Sequence, residues 1–79
     1  PNPFNPTTTV SYDLSSSGEV SLVVYNILGE VVHTLVAGYQ EAGSYHITWD
    51  AGNQIPSGVY FIKMIVGEYI QTNKLMLIK

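Results

Sequence analysis

Hydrophobic and polar positions alternate along most of this chain with a period of two, as in strands that bury one face. In residues 7–14, Val10, Tyr12 and Leu14 fall on one face and Thr9, Ser11 and Asp13 on the other, which predicts a half-buried first strand. Ser15-Ser16-Ser17-Gly18 is a turn cluster, and residues 19–25 then set Val20, Leu22 and Val24 inward against Ser21, Val23 and Tyr25. Asn26-Ile27-Leu28-Gly29 interrupts the run. Gly29 can take the positive φ of a tight reversal, so residues 30–36 are expected to return as the second arm of a hairpin. The cleanest alternation follows a loop over residues 38–43: Tyr45, Ile47 and Trp49 point one way, and Ser44, His46, Thr48 and Asp50 the other.

Residues 59–66 are apolar on both faces, as in a strand covered on both sides, and Lys63 marks the face carrying Val59, Phe61 and Ile65 as the outer one. Gly67-Glu68 is a two-residue hairpin signal before a last strand over residues 69–78. In that strand Ile70 and Thr72 give way to Leu75 and Leu77 as the inward pair, a switch that predicts a β-bulge near Asn73 and Lys74. The opening Pro1-Asn2-Pro3-Phe4-Asn5-Pro6 is an extended or turned lead-in, because proline fixes φ and denies its predecessor the helical region. Six or seven short strands with turn signals every eight to twelve residues predict an all-β, antiparallel sandwich, since one sheet alone leaves its apolar face uncovered.

Composition narrows the function classes. At 79 residues the chain makes one small domain, burying only roughly 60% of the surface exposed on unfolding. It has no cysteine, so burial must stabilise it without a disulfide or a thiolate metal site. Three Lys, no Arg and six acidic residues give a net charge of −3, a poor match to nucleic acid. No apolar run approaches the ~20 residues of a spanning helix, so membrane insertion is not expected. A first residue of Pro1 suggests a piece cut from a longer polypeptide.

Candidate chemistry is thin. His46 and Asp50 share a face but lie roughly 13 Å apart along extended chain, too far for a triad hydrogen bond, and no Gly-x-Ser-x-Gly elbow is present. His33 and His46 become a two-ligand metal site if the 38–43 loop is a hairpin, though zinc wants three or four ligands. Asp50 and Asn53 sit in one polar loop without the Asp/Asn spacing of a calcium loop. Glu19, Glu30, Glu41 and Glu68 read as solubilising charges near turns rather than paired catalytic carboxylates. Tyr25, Tyr39 and Tyr69 are left as candidate sugar-stacking residues, whereas Trp49 belongs with Ile47 and Tyr45 in the core.

Five blocks, in order along the chain, resemble a known family: Pro1-Asn2-Pro3-Phe4-Asn5-Pro6-Thr7-Thr8-Thr9; Val24-Tyr25-Asn26-Ile27-Leu28-Gly29-Glu30-Val31-Val32; Ala42-Gly43-Ser44-Tyr45 before Trp49-Asp50; Pro56-Ser57-Gly58-Val59-Tyr60-Phe61; and Lys74-Leu75-Met76-Leu77-Ile78-Lys79. They resemble the type A C-terminal sorting domain of type IX secretion cargo. The resemblance implies an immunoglobulin-like sandwich of about seven strands over residues 1–79, with no catalytic, cofactor or metal residue of its own. It further implies a covalently linked upstream cargo, passage through the periplasm to the cell surface or medium, and partners in an outer-membrane translocon and a sortase-like peptidase. Translocon recognition would then fall on Lys74, Leu75, Met76, Leu77, Ile78 and Lys79, with Ser57, Gly58 and Tyr60 as a second group. One departure is Asn73, which stands where a second lysine often precedes the last apolar run. The competing expectation is an immunoglobulin-like accessory or carbohydrate-binding module of a secreted hydrolase.

Overall fold

The computed structural model describes residues 7–52 and 55–78. The expectations for the proline-rich lead-in, for Asn53 and for Lys79 therefore lie outside the described residues. Six strands run in the order β1 (Thr7–Leu14), β2 (Gly18–Tyr25), β3 (Val31–Gln40), β4 (Gly43–Asp50), β5 (Gly58–Val66) and β6 (Tyr69–Leu77). They form two antiparallel sheets, a small one of β1 and β4 and a larger one in the order β3-β2-β5-β6. The expected sandwich is present, with six strands among the described residues rather than about seven.

Turn chemistry decides which neighbours pair. Gly67, at φ 60, sits ahead of Glu68, and among the described residues only glycines have positive φ, the sign pattern of a type II′ turn whose twist suits a β5–β6 hairpin. The β2–β3 hairpin closes differently: Gly29, at φ 81, ends a four-residue turn and donates its N–H to the Asn26 carbonyl at 3.0 Å. The remaining connections carry the chain from one sheet to the other. The 38–43 segment is one of these: β3 runs on to Gln40, β4 starts at Gly43, and the two strands belong to different sheets. The hairpin that was to bring His33 beside His46 does not form.

Each sheet contributes its alternate residues to one core. Tyr12 and Leu14 from β1, Trp49 from β4, Val20, Leu22 and Val24 from β2, Tyr60, Ile62 and Met64 from β5, and Leu77 from β6 are buried together with Ala51. Leu22 and Val24 are the most deeply buried, as expected for a central strand under the small sheet. Each such aliphatic side chain contributes about 1.5–3 kcal/mol. Tyr12 stacks on Tyr45 across the small sheet at 5.3 Å and donates its hydroxyl to Gln40 Oε1 at 2.6 Å, which ties β1 to the end of β3.

The outer face of β5 is the one marked by Lys63, whose ammonium lies 5.9 Å above the Tyr25 ring. The β-bulge expected near Asn73 and Lys74 is absent, because β6 pairs with β5 without a shift from Tyr69 to Leu77. Leu75 and Leu77 do face inward, and so do Tyr69, Gln71 and Asn73 in the same unbroken register; the sequence pattern switches because the inner face itself changes from polar to apolar. The irregularities occur instead in the β2–β3 pairing, between Leu22 and Val23 and between Val24 and Tyr25.

Candidate interaction surface

The two outer faces differ in chemistry. On the small sheet, cross-strand pairing brings polar side chains opposite one another: Thr9 and Thr48 hydroxyls meet at 3.3 Å, Ser11 Oγ and His46 Nδ1 at 2.9 Å, and Ser44 donates to Asp13 Oδ1 at 2.6 Å. The Ser11–His46 pair, which strand periodicity alone does not show because it depends on the β1–β4 register, has two members of a hydrolytic triad but not the third. Asp13 is engaged by Ser44, and Asp50 instead accepts the Gly52 N–H at 2.9 Å. Ser11, His46, Asp13 and Asp50 are all exposed on the outer face of the small sheet, where water reaches any reacting bond. These are sheet-stabilising pairs, each contributing about 0.2–1 kcal/mol.

His33 and His46 are not cross-strand neighbours: the His33 ring stacks on Trp49 at 6.2 Å on the inner side of the sandwich, and His46 lies on the outer face of the small sheet. Among the described residues no group of three His, Cys, Asp or Glu side chains could hold a metal ion. The tyrosines do not form one sugar platform either. Tyr25 and Tyr39 lie on the outer face of the larger sheet, whereas Tyr69 is on the inner face of β6, with its hydroxyl donated to Gln71 Oε1 at 2.8 Å.

Register brings the two groups of sequence-selected residues together. Gly58 pairs with Leu77, and Tyr60 with Leu75, so segments far apart in sequence share one end of the β5–β6 ladder. Their side chains diverge, however. Tyr60, Leu75 and Leu77 point into the sandwich, and Tyr60 donates its hydroxyl to the Pro56 carbonyl at 2.6 Å. Lys74 and Met76 point out, and Ile78 follows the strand, exposed.

Ser57, Gly58 and Tyr60 also line an apolar notch of about 420 Å³ at this pole, together with Asn26, Ile27, Leu28, Val32, Ile55, Pro56 and Val59. The rim is built by one residue. Asn26 Oδ1 accepts the Leu28 N–H and the Glu30 N–H, each at 2.9 Å, and Asn26 Nδ2 donates to Glu30 Oε1 at 2.8 Å. Its backbone adds two more bonds, receiving the Gly29 N–H and donating to the Glu30 carbonyl, both at 3.0 Å. This Asx-type network fixes the turn, and the turn holds Ile27 and Leu28 outward, 71% and 77% exposed. Two adjacent large aliphatics held this exposed bury little on folding, which marks them as candidate contact residues. The sequence signal was present in Asn26-Ile27-Leu28-Gly29, where polar turn residues would have closed the hairpin equally well.

No curated protein and no solved structure matches the chain. A family model does match, that of the FlgD Ig-like domain, over residues 4–67. It overturns the identification as a type IX sorting domain: no family of that system matches. Three of the blocks that carried the resemblance have local structural explanations, in the Asn26 turn, the Ser57-Gly58 entry to β5 and the apolar inner end of β6. Since the match takes in well over half of its length and the fold agrees with it, this chain belongs to the FlgD Ig-like domain family.

Proposed function

We propose that this chain is a non-catalytic accessory module that engages a protein partner through the Ile27–Leu28 turn and the adjoining notch. The observation that carries this reading is the pairing of a side-chain-braced turn with two exposed aliphatics beside an apolar recess. A preorganised apolar tip loses little entropy on docking, and interfaces concentrate their energy in such residues next to pockets. The engaged or exposed state of every Ser, His and Asp on the small sheet supports a non-catalytic role. The opposite-face placement of Tyr25 and Tyr69 speaks for a protein partner over a carbohydrate.

The test uses the 79-residue chain as immobilised bait, compared with an Ile27→Ser/Leu28→Ser double variant. Proteins retained by the wild type and lost by an equally stable variant are expected. Identical retention by both would overturn the reading. A narrower possibility, a part in flagellar hook assembly, rests on the family's name. Purified hook-assembly subunits added to the same bait would test it, with retention favouring that role and no retention leaving the general module.

A further inference from the structure

The sandwich is lopsided, two strands over four, and the offset is self-complementary. β1 ends at the pole where β2 begins, β5 runs antiparallel to β2, and β6 antiparallel to β5, so β6 runs antiparallel to β1. The inner residues of β5 beneath the small sheet, Tyr60, Ile62 and Met64, are buried. The inner residues of β6 one strand further out, Tyr69, Gln71 and Asn73, are exposed. Between them lies a groove of about 450 Å³, walled on one side by β1 from Val10 to Leu14 and floored by Leu22, Ile62 and Met64. Within the described residues β1 pairs only with β4, and β6 only with β5, leaving one edge of each open.

We propose that a second copy of this chain closes both edges at once. A two-fold axis parallel to the strands exchanges the two layers and preserves strand direction. It places β6 of the second copy beside β1 of the first, antiparallel, and β1 of the second beside β6 of the first. Each layer becomes a continuous six-stranded sheet, β4-β1-β6-β5-β2-β3, in which the first two strands come from one copy and the other four from its partner. Both inner faces still point to a common interior. The two edges contribute seventeen residues per copy, just under the roughly 20–30 of a standard interface. Every contact is made twice, as a closed two-fold interface requires.

The side chains on the exposed stretch suit self-pairing. Residues of β6 meet their own copies across the axis, so Gln71 faces Gln71 and Asn73 faces Asn73. An amide is both donor and acceptor and therefore complements itself, whereas a charge there would oppose a like charge. Lys74 is the one charged residue of β6, and it lies on the outer face. A partner strand added to an open edge gains main-chain hydrogen bonds along its length, which makes an unblocked edge a pairing site by default.

Sedimentation equilibrium on the 79-residue chain from about 1 μM to about 1 mM, a range that would reveal even a millimolar Kd, reads this directly. A concentration-dependent monomer–dimer equilibrium is expected, shifted at least tenfold toward monomer by Gln71→Glu/Asn73→Asp and unchanged by Ile70→Glu on the outer face of the same strand. Because the chain has no cysteine, Asn73→Cys provides a second reading that does not depend on charge. A bifunctional thiol reagent spanning roughly 10 Å, the separation of two facing sheets, should join Asn73→Cys into a covalent dimer, and Ile70→Cys should not be joined. A monomer throughout the range, or a dimer broken by Ile70→Glu and spared by the Gln71/Asn73 variant, would overturn the proposal. So would Ile70→Cys cross-linking in preference to Asn73→Cys.

Discussion

Single residues carry the local geometry on which the candidate surface depends. Asn26 supplies two acceptor bonds and one donor bond from its side chain. Asn26→Ala should cost about 1–2 kcal/mol in a urea melt, the scale of one or two lost hydrogen bonds at an exposed site, and should weaken partner retention although Asn26 is not itself the apolar contact. Gly29 holds φ 81 with open space where a Cβ would stand. Gly29→Ala therefore meets no steric neighbour and should cost only the left-handed backbone penalty, about 1–2 kcal/mol. Tyr12 carries a pH signature. Burial raises the pKa of its hydroxyl above the ordinary value. The unfolded chain then gives up this proton first as pH rises, so fewer protons are bound in the unfolded state than in the native one and stability falls with pH. The contribution is intact below pH ~10, the ordinary tyrosine value, and is lost between there and the raised folded-state pKa. Spectrophotometric titration should show an ionisation above the ordinary tyrosine value that Tyr12→Phe removes, and Tyr12→Phe should flatten the alkaline loss of stability.

At the level of strands, alternation was enough to locate all six to within a few residues, because each small-sheet strand has one wet and one dry face and each hairpin has a glycine where φ must be positive. Sheet membership was not legible. Whether residues 38–43 form a hairpin or carry the chain to the other sheet depends on which inner faces meet, and both outcomes leave the same local pattern. That is why His33 and His46 looked like neighbours and the Ser11–His46 pair did not. The polar inner face of β6 was misread for a related reason: alternation assumes a covered sheet, and Gln71 and Asn73 sit where nothing in one copy covers them. Core strands should respond differently from this edge. Leu22→Ala, at a side chain 1% exposed, should cost about 2–5 kcal/mol by chemical denaturation. Gln71→Ala should change the stability of the monomer by no more than about 0.5 kcal/mol.

For the molecule as a whole, the chemistry is distributed by surface: a polar outer face on β1 and β4, an open edge beside β6, and an apolar tip at the pole where β2 turns into β3. The fold was readable as an immunoglobulin-like sandwich, but the family was not, since motifs such as Tyr25-Asn26-Ile27-Leu28-Gly29 encode a turn before they encode any partner. Residues selected near the C-terminus prove to be divided between core and surface, and only Ser57, Gly58 and Tyr60 of that set border the notch. The central claim is that the Ile27–Leu28 pole is the contact surface of an accessory module. Amide hydrogen exchange on the chain, free and saturated with a protein retained by the wild-type bait, tests it most directly. Slowed exchange confined to residues 26–32 and 55–60 is the predicted result. Protection confined to the β1–β4 outer face or to β6, with the pole exchanging as in the free chain, would contradict it.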